Sequence, residues 1–365
     1  MGDVTATRPA PHVRDARPSA PRGPAVAGVE VSAGAIRVIV GRREDARLRV
    51  VGKGESALPD GVVNGGLVAD RLAAAEALRA AFALAEQTQR AERVTVAIDS
   101  DDMRTYHGLT AFEREDSRSA VAPGEESRAV REAAGIAAQR ASAATEEDAA
   151  LRGVATARLH EDVAARALDG RGLSSLVGHR GRLVEVWTDV TVASLVVTGA
   201  ATATLEAARR RGSVVSGAYA LGRLLAGSGV SDAGVVRLGP DATSIAVLRE
   251  GRLAATRVFA LGRIALAARA GRAGDDARVW ADCVVASLRG LDGPPPGRWI
   301  FVGVPEALLA LPEALGDVVR QIRGDDVDIT PLTVALASRV YGEGLRSDDL
   351  VAVGAAAIAA GIYDS

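Results

Sequence analysis

The sequence predicts an α/β protein of two related halves packed around a cleft, on three observations. A meander of three short strands followed by a helix and a further strand stands near the start of the chain. The same succession returns later. Between the two copies lies a stretch of charged helical segments that reads as an inserted subdomain.

The first meander covers residues 25–31, 36–40 and 48–51, apolar runs separated by turn-forming stretches at 32–35 and 42–47. Residues 70–90 place Ala and Leu on one helical face, and the apolar run 94–98 reads as a buried strand. The second meander covers 234–238, 243–248 and 253–258, with turns at 239–242 and 250–251. Helical composition follows over 264–291, then a strand at 299–302 and a helix at 306–322. Within the insertion, 125–140 and 146–166 read as helical, and a Gly-rich turn leads to strands at 183–187 and 190–197. The expected organisation is a disordered tail over 1–24, a first half over 25–103, an inserted subdomain over 104–198, a return to the first half over 199–232, and a second half over 233–365.

A chain of 365 residues with 48% hydrophobic content can bury more than one core. Its net charge of −2 and its 3% aromatic content supply neither the basic field nor the stacking platforms of a nucleic-acid binder. The single cysteine, Cys283, excludes an internal disulfide and a cysteine-ligated metal and reads as a small core residue. No run reaches the roughly 20 apolar residues of a membrane span, the nearest being the Ala- and Gly-rich 351–362. The tail carries Arg8, Arg14, Arg17 and Arg22 but no apolar signal core.

Three groups of residues carry a more specific pattern. Gly28-Val29-Glu30-Val31-Ser32-Ala33 closes the first strand, Gly41 ends the second, and Val51-Gly52 ends the third. Gly61-Val62-Val63-Asn64-Gly65-Gly66-Leu67-Val68 and then Asp70 precede the helix. This succession resembles the bacterial cell-division family FtsA, a branch of the actin, heat-shock chaperone and sugar-kinase superfamily. That family has a Gly-Leu-Asp-Ile-Gly-Thr type strand turn, a strand ending in Gly, and a G-x-(x)-(K/N)-G-x-(I/V)-x-D segment before its first helix. Residues 164–177 and Gly181-Arg182-Leu183-Val184-Glu185-Val186 are similar to the end of the FtsA-specific (SHS2-type) subdomain, although Ser175-Leu176-Val177-Gly178 lacks the Pro of that turn. Residues 202–212 and 213–225 are similar to the family's helix, strand and small-residue helix that lead into the second half. The resemblance spans 25–364 and implies an actin-like (RNase H-like) fold of duplicated βββαβα halves with an FtsA-type inserted α+β subdomain.

In that superfamily the two hairpin turns meet the nucleotide phosphates, with a carboxylate at each to hold Mg²⁺ or water and glycines that let backbone N–H groups approach. Here the second turn reads Val235-Val236-Arg237-Leu238-Gly239-Pro240-Asp241-Ala242-Thr243-Ser244, so Arg237 stands at the carboxylate position. Pro240 lacks an N–H, Ala242 lacks a hydroxyl, and Asp241 brings negative charge to where a γ-phosphate would lie. Two like charges about 4 Å apart repel by roughly 4 kcal/mol at an effective dielectric near 20, close to three decades of affinity. In the first turn Glu30 keeps a charge on a longer arm, Ser32 replaces a glycine, and Ala33 follows. Of the family's adenosine-loop glycines only Gly303 remains, in Ile300-Phe301-Val302-Gly303-Val304-Pro305. Glu30 and Arg237 are expected to form a salt bridge across the cleft in place of the metal, with two unrelated surface charges as the alternative.

The resemblance therefore implies a pseudoenzyme scaffold of cell division, with no cofactor expected and ATP with Mg²⁺ as the weaker alternative. A platform of type IV pilus assembly, similar to PilM, is the second reading; an ATPase or sugar kinase of the superfamily is the third. The implied partners are FtsZ or another division or pilus-assembly protein, with self-association open. The implied location is cytoplasmic, at the inner face of the membrane through a partner. Only 270–296 is available where FtsA carries the second-half subdomain that grips FtsZ, and no terminal amphipathic membrane helix is seen. His12, His107, His160 and His179 have no metal-ligand spacing. Asp99-Asp101-Asp102, Asp275-Asp276 and Asp325-Asp326-Asp328 read as loop or helix-cap carboxylates, and Arg209-Arg210-Arg211 as cations at a helix end.

Overall fold

The structure, a computed structural model, describes residues 23–147, 151–269, 273–289, 291 and 293–364. His12 and the tail arginines lie outside these residues. β1 (Val26–Ser32), β2 (Ala35–Glu44) and β3 (Arg47–Ala57) form the first antiparallel meander. The small hairpin β4 (Val63–Asn64) and β5 (Leu67–Val68) leads into α1 (Arg71–Ala85), whose first N–H groups are capped by Asp70 at 3.0 Å. β6 (Arg93–Ile98) then returns parallel to β1.

The insertion comprises β7 (Arg104–Glu113), α2 (Pro123–Glu147), β8 (Thr156–Leu168), β9 (Arg171–Gly172) and β10 (Leu183–Ser194), ordered β7-β10-β8-β9. α2 lies on β7 and β10, and Gly108 permits the approach: a Cβ there would stand 1.9 Å from the Ala133 carbonyl oxygen. The helical expectation over 146–166 fails beyond α2, because 156–168 is β8, paired to β10 along its length. Ala, Arg and Glu favour helix by only a few tenths of a kcal/mol each, and a full strand ladder outweighs that preference. The two strands expected at 183–187 and 190–197 are one, β10, which continues through Thr188 and Asp189; 195–197 open the next helix.

The chain returns through α3 (Leu195–Ala207), β11 (Ser213–Ser216) and α4 (Gly217–Gly227). The second half then follows: β12 (Ala233–Leu238), β13 (Thr243–Arg249), β14 (Arg252–Phe259), α5 (Arg263–Ala267), α6 (Ala273–Ser287), β15 (Arg298–Val302), α7 (Ala310–Arg323) and β16 (Asp328–Pro331). The helical stretch expected over 264–291 is thus split into α5 and α6. The strand orders β3-β2-β1-β6-β11 and β14-β13-β12-β15-β16 are the same, with parallel pairing at β1–β6, β6–β11, β12–β15 and β15–β16. The duplication legible in the sequence is therefore a duplication of topology.

The end of the chain leaves the second sheet. β17 (Val340–Tyr341) pairs with β3, and α8 (Leu350–Ala359) packs on β1, β2, β6 and α4. α4 and α8 lie between the sheets: one core joins Val26, Ile39 and Ala97 of the first sheet to Val235, Ala246 and Ile300 of the second through both helices. α1 and α3 cover the outer face of the first sheet, α6 and α7 that of the second, giving five layers. The apolar run at 351–362 is therefore an internal helix, and no described helix is long and apolar enough to cross a membrane. Its small residues let backbones touch: a Cβ on Gly28 would lie 1.9 Å from the Ala352 oxygen, and one on Gly354 would lie 2.4 Å from the Ala220 oxygen.

Because the atoms facing Gly28 are helix backbone, Gly28→Ala is expected to cost about 3 kcal/mol or more through overpacking. A lowered midpoint in urea unfolding would register the cost; an unchanged midpoint would show that α8 can move away from β1.

Candidate functional site

Alternation along β1 sends Ala27, Val29 and Val31 toward the α1 side and leaves Val26, Gly28, Glu30 and Ser32 facing the middle layer. On β12 the same alternation turns Val235 and Arg237 inward and Val236 and Leu238 outward. Glu30 and Arg237 thus approach the carboxyl ends of two corresponding strands from opposite halves, at the position where open parallel sheets place their ligands.

The two side chains meet in a buried ion pair, the pairing expected from the sequence. Arg237 also lies 3.6 Å from Asp99 Oδ2, and Arg37, opposite Glu30 in the β1–β2 register, lies 3.6 Å from Glu30 Oε2. Asp99 follows β6, and its Oδ1 accepts the Ala218 N–H at 3.0 Å and the Ser216 hydroxyl at 3.2 Å, capping α4 as expected of that carboxylate. Burial pushes the Asp99 carboxyl above its ordinary range. Burial, with the Arg263 guanidinium nearby, pushes Arg237 down to about 10, which leaves it charged at neutral pH.

Asp241 supplies a second link across the cleft. Its Oδ2 accepts the Gly65 N–H at 2.5 Å, and Gly65 has φ +56°, a left-handed conformation that glycine adopts readily. The turn that carries Asp241 is committed internally: Gly239 N–H donates to the Ala242 oxygen at 2.8 Å, and the Gly239 and Pro240 carbonyls accept the Arg263 and Ile264 N–H groups at 2.9 Å. In the first turn the Ser32 hydroxyl donates to the Ala35 oxygen at 3.0 Å. Between the two turns lies a cavity of about 10 Å³, lined by Glu30, Ser32, Asp99, Arg237, Gly239 and Asp241 among others. That volume suits about one water molecule.

Three candidates fall outside this cavity. Ala33 sits half-buried at the tip of its turn. Thr243 is fully buried behind the second sheet, donating to the Leu261 oxygen at 2.6 Å and accepting the Trp280 indole N–H at 2.9 Å. Its hydroxyl serves the core. Gly303, at φ +74°, packs against the last residue of β12, where a Cβ would stand 2.9 Å from the Leu238 oxygen. The sequence reading missed Asp99 and Arg263 as neighbours of Arg237, Arg37 as neighbour of Glu30, and Gly65 as donor to Asp241. Asp99 was signalled by its place just after a buried parallel strand, and Gly65 by the Asn64-Gly65-Gly66 turn, although nothing local points from that turn to Asp241.

The insertion is tied to both halves. Asp162 of β8 accepts from the Tyr219 hydroxyl at 2.8 Å and from Arg223 Nε at 3.1 Å, both on α4. Thr256 of β14 donates to Thr105 at 3.0 Å, Thr105 and Thr191 share a further hydrogen bond, and Arg252 stacks on Trp187. His107 contacts Asp189 at 2.7 Å and His160 packs edge-on to Tyr219; no described group of His, Cys, Asp and Glu is arranged to hold a metal. Arg209, Arg210 and Arg211 follow the end of α3, as expected, and Arg210 forms a two-point bond to Glu86, at 2.9 and 2.5 Å, and stacks on Phe82. Cys283, expected in the core, is half-buried on α6.

No known family profile and no curated protein matches the sequence. Solved structures do. The PilM–PilN type IV pilus biogenesis complex aligns with TM-score 0.54 and 17% identity over 92% of this chain and 98% of that one. The ethanolamine utilization protein EutJ from Carboxydothermus hydrogenoformans aligns with TM-score 0.46 and 14% identity over 92% and 90%. A ROK hexokinase from Thermus thermophilus aligns with TM-score 0.37 and 15% identity over 92% and 97%. The chain has the actin-like ATPase fold.

A double-mutant cycle on Glu30→Gln and Arg237→Gln tests the central pair. Each single change is expected to cost about 3 kcal/mol by leaving a buried charge without its partner, and the double change less than the sum, with coupling of about 2 kcal/mol. Additive unfolding energies would mean that the two charges stabilise the cleft independently.

Proposed function

We propose that this protein is a binding scaffold whose cleft is held shut by its own side chains and works without a nucleotide. The observation that carries this reading is the Glu30–Arg237–Asp99 cluster, in which a guanidinium stands between two carboxylates where a metal–phosphate complex would need the space. The surroundings fit Mg²⁺ and ATP poorly. The cavity of about 10 Å³ is far smaller than the few hundred Å³ typical of ligand sites. Asp241 presents a carboxylate, Pro240 offers no N–H, and the Gly239 N–H is already bonded. The ion pair and the Asp241–Gly65 bond join the two halves across the cleft with the protein's own groups.

Among assembly roles, a pilus-type platform is favoured by the overall similarity to PilM, which covers nearly the whole of both chains. The second reading is a cell-division scaffold, favoured by the FtsA-like motifs between residues 28 and 70. Against a direct grip on FtsZ stands the short connection between β14 and β15, in which the described residues form only α5, α6 and a Pro-rich turn. In either role the protein acts at the inner face of the membrane through a protein partner.

Titration calorimetry with Mg²⁺·ATP is expected to give no heat of binding at millimolar nucleotide, and phosphate release no higher than the buffer rate. Saturable binding in the micromolar range would overturn the scaffold reading. A fluorescent fusion expressed in its own cells separates the two roles, because a midcell band points to division and envelope or polar foci point to pilus assembly.

A further inference from the structure

On the outer side of the second half, away from the cleft, α6, α7 and the segment before β15 enclose an open groove of about 230 Å³. Its floor is apolar, formed by Val247, Val285, Leu288 and Leu291. Pro294, Pro295 and Pro296 make one wall, and Ile322 of α7, 52% exposed, stands on the other. Single exposed aliphatic residues are ordinary on protein surfaces, but Ile322 here continues a concave apolar surface toward solvent.

Two further observations say what the groove fits. The first is its electrostatics: the described lining residues include Arg249 and Arg289 and no carboxylate. Arg289 is exposed, and Arg249 spends one guanidinium nitrogen on the Pro294 oxygen. The second is its rigidity. The three proline carbonyls are all held, Pro294 by Arg249, Pro295 by Arg323 Nη1 at 2.7 Å, and Pro296 by the Trp299 indole N–H at 2.8 Å. Proline also fixes its own φ, so the wall is already formed and little ordering entropy is lost on binding.

The volume is below the few hundred Å³ of a small-molecule site and suits one or two large side chains. We propose that this groove is a docking site for a short acidic segment of a partner protein, which inserts a leucine or aromatic side chain onto the apolar floor and sets a neighbouring carboxylate against Arg289 and Arg249. Charge complementarity selects the segment and the apolar anchor holds it, the usual division of labour at a small interface. The site is remote from the Glu30–Arg237 cluster and would serve whether or not the cleft takes a nucleotide, so failure of either reading leaves the other standing.

The test uses the full-length protein and fluorescence anisotropy of two labelled short peptides, each with a central Leu-Phe pair, one flanked by Glu and Asp and the other by Lys and Arg. The acidic peptide is expected to bind and the basic one not to. Arg289→Glu and Ile322→Glu, both surface changes, are each expected to weaken binding by about tenfold or more, equivalent to roughly 1.4 kcal/mol, with unchanged thermal unfolding. The proposal is overturned if the acidic peptide does not bind, if the basic peptide binds equally, or if both variants bind as the parent does. It is also overturned if the parent sediments as a dimer that Ile322→Glu dissociates, since the groove would then be occupied by a second copy.

Discussion

The backbone contact between β1 and α8 at Gly28 sets the spacing from which the rest of the centre follows. With no Cβ on Gly28, α8 lies directly against the first sheet, and with none on Gly354 it lies directly against α4. α4 in turn rests on β13 and β14. Two thin Ala- and Gly-rich helices are thus all that separates the two sheets. Glu30 lies two residues beyond Gly28 on the same face of β1, and the narrow middle layer brings it within reach of Arg237. Bulkier helices would hold the halves too far apart for an ion pair.

Once that distance is set, the charges at the cleft pair with one another. Glu30, Asp99 and Asp241 line the cavity with Arg237, while Arg37 lies beside Glu30, and Arg263 and Asp348 act on Arg237 from nearby. Removing these groups from water is costly, and their geometry recovers the cost only while all of them are present. Such a cluster contributes more to fixing one arrangement of the halves than to net stability. The insertion adds to this, because Asp162 holds it to α4 while Thr105 and Trp187 hold it to β14. A change of angle between the halves would have to break the charge cluster and slide the insertion together.

Much of this was legible in the sequence, for local reasons. The two meanders are short apolar runs between turn residues; the second was found within a residue of its observed bounds, whereas in the first β2 runs on to Glu44 and β3 to Ala57, past the apolar runs that marked them. The replacement of a carboxylate by Arg237 and the presence of Glu30 raised their pairing as one of two readings, beside two unrelated surface charges, and the structure has the pair. The misreadings also have local causes. Residues 156–168 have the composition of a helix, and only the long neighbour β10 makes them a strand. Thr243 was assigned to a phosphate loop by its place in a motif, yet the alternation of β13 turns it toward Trp280.

Taken alone, the sequence determined the repeated succession of strands and helix and the identity of the charges at the strand ends, because periodicity and side-chain chemistry act over a few residues. Only the tertiary structure decided that 350–359 is the helix filling the space between the sheets, that Gly65 receives Asp241, and that Asp99 flanks Arg237. Those contacts join residues separated by most of the chain, and their distances depend on how closely glycine and alanine let the layers approach, which no short stretch of sequence specifies.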